Sequence, residues 1–155
     1  MGKQVSVSLE DMMPLINESF ENDQSVRIYP HGISMLPMLR EGRDSVVLSK
    51  VSKIKKYDIA LYQRENEKFV LHRIVKAGKT YTCIGDNQFE LEKGIDHGQV
   101  LAVVTAFYRG DKLHSTNELG YRLYCRVWHY SRFPRRVWRS LRYRTTRLLR
   151  RVFGK

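Results

Sequence analysis

The residues that could do chemistry begin at Gly32-Ile33-Ser34-Met35-Leu36-Pro37. Glycine at 32 can take backbone angles closed to other residues. Proline at 37 fixes its own φ and biases Leu36 away from the helical region. Together they predict Ser34 on a stiff, irregular bend. In the plainest reading the bend joins two strands and Ser34 is a turn residue. In the chemical reading its hydroxyl is a nucleophile, and a serine hydroxyl needs an adjacent base at neutral pH. Histidine suits that task because its ordinary pKa lies near operating pH. The five histidines, at 31, 72, 97, 114 and 129, show no metal-type spacing. The two cysteines, Cys83 and Cys125, stand far apart and read as free thiols in a reducing compartment. The chemistry expected is therefore nucleophile and base, with no metal and no cofactor.

Two further stretches follow in order. One is Tyr57-Asp58-Ile59-Ala60-Leu61-Tyr62 with Phe69-Val70-Leu71-His72-Arg73-Ile74-Val75; the other is Tyr81-Thr82-Cys83-Ile84-Gly85-Asp86-Asn87. With the serine motif they resemble the superfamily of type I signal peptidases and SOS-repressor autopeptidases, over about residues 26–110. Three motifs in the right order are more specific than any one. The resemblance implies Ser34 as nucleophile and His72 as general base. Lysine holds that place in bacterial leader peptidases, so the chain is similar to the Ser-His branch of endoplasmic-reticulum and archaeal-like enzymes. A third group normally orients the histidine. Asp86 matches the Gly-Asp of the motif and is preferred, while Glu92 and Asp96 stay open as acids further along. The plainer readings are a strand histidine for His72 and a turn residue for Asp86. Arg73 is expected to pair with an acid. The oxyanion would rest on backbone N–H groups, Ser34's own among them. Gly32, Met35 and Pro37 are expected to line the peptide site, Met35 as an adaptable apolar wall. The substrate would bind extended, by adding a strand.

The elements that must position these residues can be read from patterning. A length of 155 residues suggests one compact domain. Ser8 reads as a helix cap, followed by an apolar stripe of Met12, Leu15, Ile16 and Phe20, with Pro14 an awkward member. Strands are predicted over 26–29, 44–48, 57–62, 68–76, 80–84 and 99–108, with the 57–62 and 68–76 pair as a hairpin. The last strand is apolar enough for burial on both faces. The fold expected is mainly β: a compact, coiled sheet over 1–118 with an N-terminal helix, then a basic helical tail over 119–155.

The tail stands apart by charge. Residues 119–155 hold 12 of the 28 basic residues and none of the 16 acids, which accounts for the whole formal charge of +12. Tyr121, Tyr124, Val127 and Trp128 recur at helical spacing up to a break expected at Pro134. Beyond it Val137, Trp138, Leu141, Thr145, Leu148, Leu149 and Val152 share one helix face, and Arg139, Arg142, Arg144, Arg147, Arg150 and Arg151 the other. An amphipathic helix of this kind fits an anionic membrane surface best. An acidic protein partner ranks second, and nucleic acid last, because no recognised module accompanies the charge. No apolar run is long enough to span a bilayer and no signal peptide is visible, so the expected location is cytoplasmic and peripheral to a membrane. The function expected is a serine endopeptidase that removes a leader or signal-like segment. The competing functions are a catalytically silent binding or regulatory module on the same scaffold, and a self-cleaving regulator.

Overall fold

The computed structural model describes residues 9–50 and 53–153, with side chains to Arg142. In chain order the elements are α1 (Leu9–Glu21), β1 (Val26–Ile28), β2 (Asp44–Ser49), β3 (Ile59–Gln63), β4 (Phe69–Lys76), β5 (Tyr81–Ile84), β6 (Glu92–Ile95), a 3-10 turn (His97–Gln99), β7 (Val100–Arg109), β8 (Lys112–Ser115), α2 (Leu119–Tyr130) and α3 (Arg132–Phe153). The eight strands form one antiparallel sheet in the order β1-β2-β7-β3-β4-β5-β6, with β8 on the far half of β7. The sheet is coiled but not closed. Every strand expected from the sequence is present, and β6 and β8 are additions. The Ser8 cap and the tail side chains beyond Arg142 lie outside the described residues.

The alternation of side chains along each strand divides the core in two. On one face Ile59, Leu61, Ala102, Val104 and Phe107 pack with Met13, Ile16 and Phe20 of α1, with Met35, Met38 and Leu39, and with Tyr121 and Cys125 of α2. On the other, Ala60, Tyr62, Ile74, Tyr81, Cys83, Ile95 and Val103 meet inside the curl of the sheet. Strand β3 is buried on both faces, which is why its sequence does not alternate. Each large apolar side chain buried in this way contributes about 1.5–3 kcal/mol.

Two details of the helices differ from expectation. Helix α1 runs through Pro14 and buries Met13, Ile16 and Phe20, while Leu15 is exposed. Pro14 falls beyond the first turn and forfeits one helical hydrogen bond. The C-terminal helices break at Ser131 rather than Pro134, which sits within the first turn of α3, where proline costs little. Residues 119–142 are no free-standing tail. Tyr121 and Cys125 belong to the core, so the boundary drawn at 118 separates pieces that pack together.

Candidate active site

Ser34 is held from three sides. Gly32 has φ +87, the left-handed conformation expected of it, and its N–H donates to Glu41 Oε2 at 2.9 Å. The other Glu41 oxygen accepts from His31 Nδ1 at 2.9 Å. Behind the serine, Met35, Met38 and Leu39 are sunk in the core. On its far side the Asn87 N–H donates to the Ser34 carbonyl at 2.8 Å, and Asn87 Nδ2 donates to the Ile33 carbonyl at 3.2 Å. A Cβ on Gly85 would lie 2.6 Å from the Ser34 carbonyl oxygen and 2.9 Å from Gln88 Oε1. Glycine at 85 is thus required by close approach. Among the described residues neither the N–H nor the hydroxyl of Ser34 donates to a protein group.

This docking brings the Ser34 backbone against Gly85, at the end of β5 that runs beside His72 on β4. Arg73 pairs with Ile84 across β4 and β5, so the residues before and after them, His72 and Gly85, lie at the same level of the sheet. His72 is 2% exposed. Its Nδ1 lies 3.0 Å from Glu92 Oε1, and the Tyr62 hydroxyl donates to Glu92 Oε2 at 2.8 Å and lies 3.2 Å from the same Nδ1. Arg64 Nε donates to Glu92 Oε2 at 2.8 Å, and its second nitrogen takes the other oxygen. Burial raises the Glu92 pKa, but the Arg64 and Tyr62 hydrogen bonds outweigh it and hold the carboxyl below its ordinary value. An ionised carboxylate can only accept, so Nδ1 carries the proton and Nε2 is the basic nitrogen. Burial lowers the His72 pKa, with Glu92 opposing and Arg64 adding to the shift. The imidazole is therefore neutral at ordinary pH. No Ser34–His72 hydrogen bond forms among the described residues; substrate-free sites often leave this bond open.

The preferred acid of the sequence reading is elsewhere. Asp86 accepts a fork from Arg73, Nε to Oδ1 at 2.8 Å and the terminal nitrogen to Oδ2 at 2.7 Å, with both side chains 2% exposed. Arg73 also donates to the Tyr57 carbonyl, the Tyr121 hydroxyl and Cys125 Sγ. Tyr124 donates to the Asp86 carboxylate and Trp128 to its carbonyl. The reason is strand parity. His72 and Arg73 are neighbours on β4 and face opposite sides of the sheet. Asp86 lies on Arg73's side, under α2. Glu92 pairs with Cys83, which pairs with Ile74, the next residue on His72's own face. Asp96 sits at the start of the 3-10 turn, where its N–H is bonded to Gln99, and among the described residues it forms no hydrogen bond or ion pair with His72. Tyr62 and Arg64 went unread as site residues. The hairpin register that sets Ala60 opposite His72 makes Tyr62 a diagonal neighbour of the histidine, so that signal was present.

A groove of about 120 Å³ opens at Ser34, lined by Gly32, Met35, Phe69, Val70 and Leu71 and also by His31 and Glu41. Pro37 is not part of it. It lines a separate recess with Arg40, Arg43 and Arg109. Beside the groove, residues 69–72 of β4 pair with β3 on one edge, while β5 joins β4 only from Arg73 onward. The other edge can accept an added strand. Among the described residues no group of His, Cys, Asp and Glu is placed to hold a metal. Comparisons with family models, with curated proteins and with solved structures find no match.

The Gly85 contact makes a prediction. Gly85→Ala puts a methyl against a backbone oxygen that no rotamer change can move. The Ser34 bend must shift, and a displacement of about 1 Å at a reacting group costs on the order of 100-fold in rate. Overpacking should also cost about 1–3 kcal/mol of stability. Activity and chemical denaturation measured together check this; wild-type values for both would show that Gly85 does not clamp the bend.

Proposed function

We propose that the chain is a serine endopeptidase of signal-peptidase-like type, with Ser34 as nucleophile, His72 as general base and Glu92 as the orienting acid. The observation that carries the reading is the buried His72 whose Nδ1 is engaged by Glu92, next in the chain to Leu71, which lines a groove together with Ser34. Ser34 Oγ attacks the substrate carbonyl as its proton passes to His72 Nε2. Glu92 stabilises the imidazolium that forms, and the Ser34 N–H receives the developing oxyanion. His72 then returns the proton to the leaving amine, and water releases the acyl chain in a second round. The substrate is an extended leader or signal-like segment laid along the open edge of β4. The enzyme works peripherally on an anionic membrane in the cytoplasm, carried there by its basic C-terminal helices. No helix among the described residues is long and apolar enough to cross a bilayer. The silent-module and self-cleavage readings remain the alternatives. Incubating the protein with leader-bearing peptides and mapping the cut separates them: a defined cut in the peptide supports the peptidase, a cut only in the protein itself supports self-cleavage, and none supports the silent module.

The pH dependence follows from His72. The neutral imidazole is the active form, so activity falls as pH drops through its pKa. Burial places that midpoint below the ordinary value of 6.5, so the acid limb of the rate profile should lie below pH 6.5 and the rate should be level above it. Glu92→Gln should lower kcat by about 10²–10⁴-fold. It should also move the limb further down, because the imidazolium loses its counter-charge. Asp86→Asn should move the limb in the same direction but far less, since the Asp86 charge is the smallest of those acting on His72. The opposite pattern, with Asp86→Asn giving the large shift and Glu92→Gln silent, would return the orienting role to Asp86.

A further inference from the structure

Over residues 119–139, helices α2 and α3 carry two opposed faces, and among the described residues one of them packs against the sheet. Tyr121, Tyr124, Cys125 and Trp128 face the sheet and the Arg73–Asp86 pair. The arginines of the next turns continue that inner face. Arg135 stacks on Trp128 at 3.6 Å and donates to its carbonyl at 2.7 Å, and Arg139 lies over the Phe89 ring at 5.3 Å. The opposite face is apolar and exposed: Leu119, Leu123, Val127, Tyr130, Phe133 and Val137, at spacings of three and four residues. The stripe continues past the break at Ser131, where the Ser131 N–H still bonds to the Val127 carbonyl and its carbonyl still accepts from the Arg135 N–H. A row of this length turned outward from a water-facing helix needs a cover.

We propose that this outer stripe is a membrane-docking surface that lies flat in the interface of an anionic bilayer, so that the body is held against the lipid by a rigid contact and not by a loose tail. The inference rests on the membrane reading above and extends it to α2. Charge selects the occupant. Arg122, Arg126 and Arg136 stand in or beside the stripe, and residues 119–155 contain no acid to offset them. Two copies meeting through the stripe would bring like charges together, whereas anionic headgroups supply the missing countercharge. Arginine stems can lie along the apolar surface with their heads at the phosphates. Because α2 is bonded to Asp86, in the loop whose Asn87 holds Ser34, the candidate active site then takes one orientation toward the bilayer.

The test uses the full chain and phosphatidylcholine vesicles with and without phosphatidylglycerol, read by co-sedimentation at low salt. Wild type should pellet with the anionic vesicles and much less with the neutral ones. The double variant Leu123→Glu, Val127→Glu should partition about tenfold more weakly or worse, with its unfolding transition unchanged because both side chains are exposed. Leu15→Glu, at an exposed leucine on α1, should bind as wild type. A double variant that binds as wild type, while truncation after Arg142 abolishes binding, overturns the proposal and leaves the membrane reading to residues 143–155. Equal weakening by Leu15→Glu overturns it as well, because the effect would not belong to the stripe. No binding of wild type to either vesicle overturns both readings. In that case a wild-type dimer made monomeric by the double variant would name a second copy as the cover. Peptide cleavage in solution is measured separately, so none of these outcomes bears on the peptidase assignment.

Discussion

Ser34→Ala and His72→Ala should each abolish cleavage of a verified peptide substrate, by on the order of 10⁵-fold, and the double variant should lose no more than either single one. Nucleophile and base act as a unit, so the second loss removes nothing that still works. The variants differ in stability. Ser34 Oγ makes no hydrogen bond among the described residues and the bend is anchored by Met35, Met38 and Leu39, so Ser34→Ala should melt as wild type. His72→Ala leaves Glu92 without one of its donors and opens a space beside Tyr62, so it should melt lower. Wild-type turnover in Ser34→Ala would remove the peptidase assignment from this site. His31→Ala is the companion measurement. The His31–Glu41 pair also borders the groove at Ser34, but Glu41 spends its second oxygen on the Gly32 N–H, which is a role in shaping the bend. A modest effect is therefore expected. A loss as large as that of His72→Ala would transfer the role of base to His31.

The second large effect is on stability, at the Arg73–Asp86 pair. Arg73 is fully enclosed, and burial works against its charge, yet Asp86 and the surrounding acceptors raise its pKa well above the ordinary arginine value. It is thus charged at every pH of interest. Removing one partner leaves a buried charge without its counterpart, which costs about 3–5 kcal/mol. Asp86→Asn and Arg73→Leu should each lower the melting temperature by roughly 6–20 °C for a domain of this size. Replacing both by apolar residues of similar volume should recover much of the loss, since an absent pair has no desolvation cost. Arg73 also binds Tyr121 and Cys125, so its loss should loosen α2 and expose the Cys125 thiol, which burial now keeps above its ordinary pKa. Denaturant unfolding and the rate of Cys125 modification check these outcomes together. If Asp86→Asn unfolds as wild type, the pair is not the fastening the geometry describes.

How much of this could be read in advance depends on the range of the interaction that decides it. The strands around the site were legible because alternation and turn residues are local, and the Ser34 bend because Gly32 and Pro37 restrict the backbone where they stand. Strand β6 was not. Glu92-Lys93-Gly94-Ile95 is polar and carries a glycine at φ +79, so its strand character comes from pairing with β5 rather than from its own residues. With β6 unread, the choice among Asp86, Glu92 and Asp96 could not be made. That choice turns on parity: which residue of β4 faces which side, and how β5 and β6 are registered against it. A shift of one residue in that register would move every side chain to the other face.

The C-terminal helices divide in the same way. That α3 is amphipathic and basic follows from the spacing of residues 137–152, because helix periodicity is a property of the chain alone. Which face turns outward does not. It is set by Tyr121, Cys125 and Trp128 docking on a buried ion pair whose members come from β4 and the loop after β5. Local patterning was enough for the mainly β frame, and the resemblance carried by three ordered motifs named the serine and the histidine. The identity of the histidine's acid partner and the direction of the apolar stripe were decided only when strands distant in sequence found their register, since the contacts that settle both join residues between 20 and 52 positions apart.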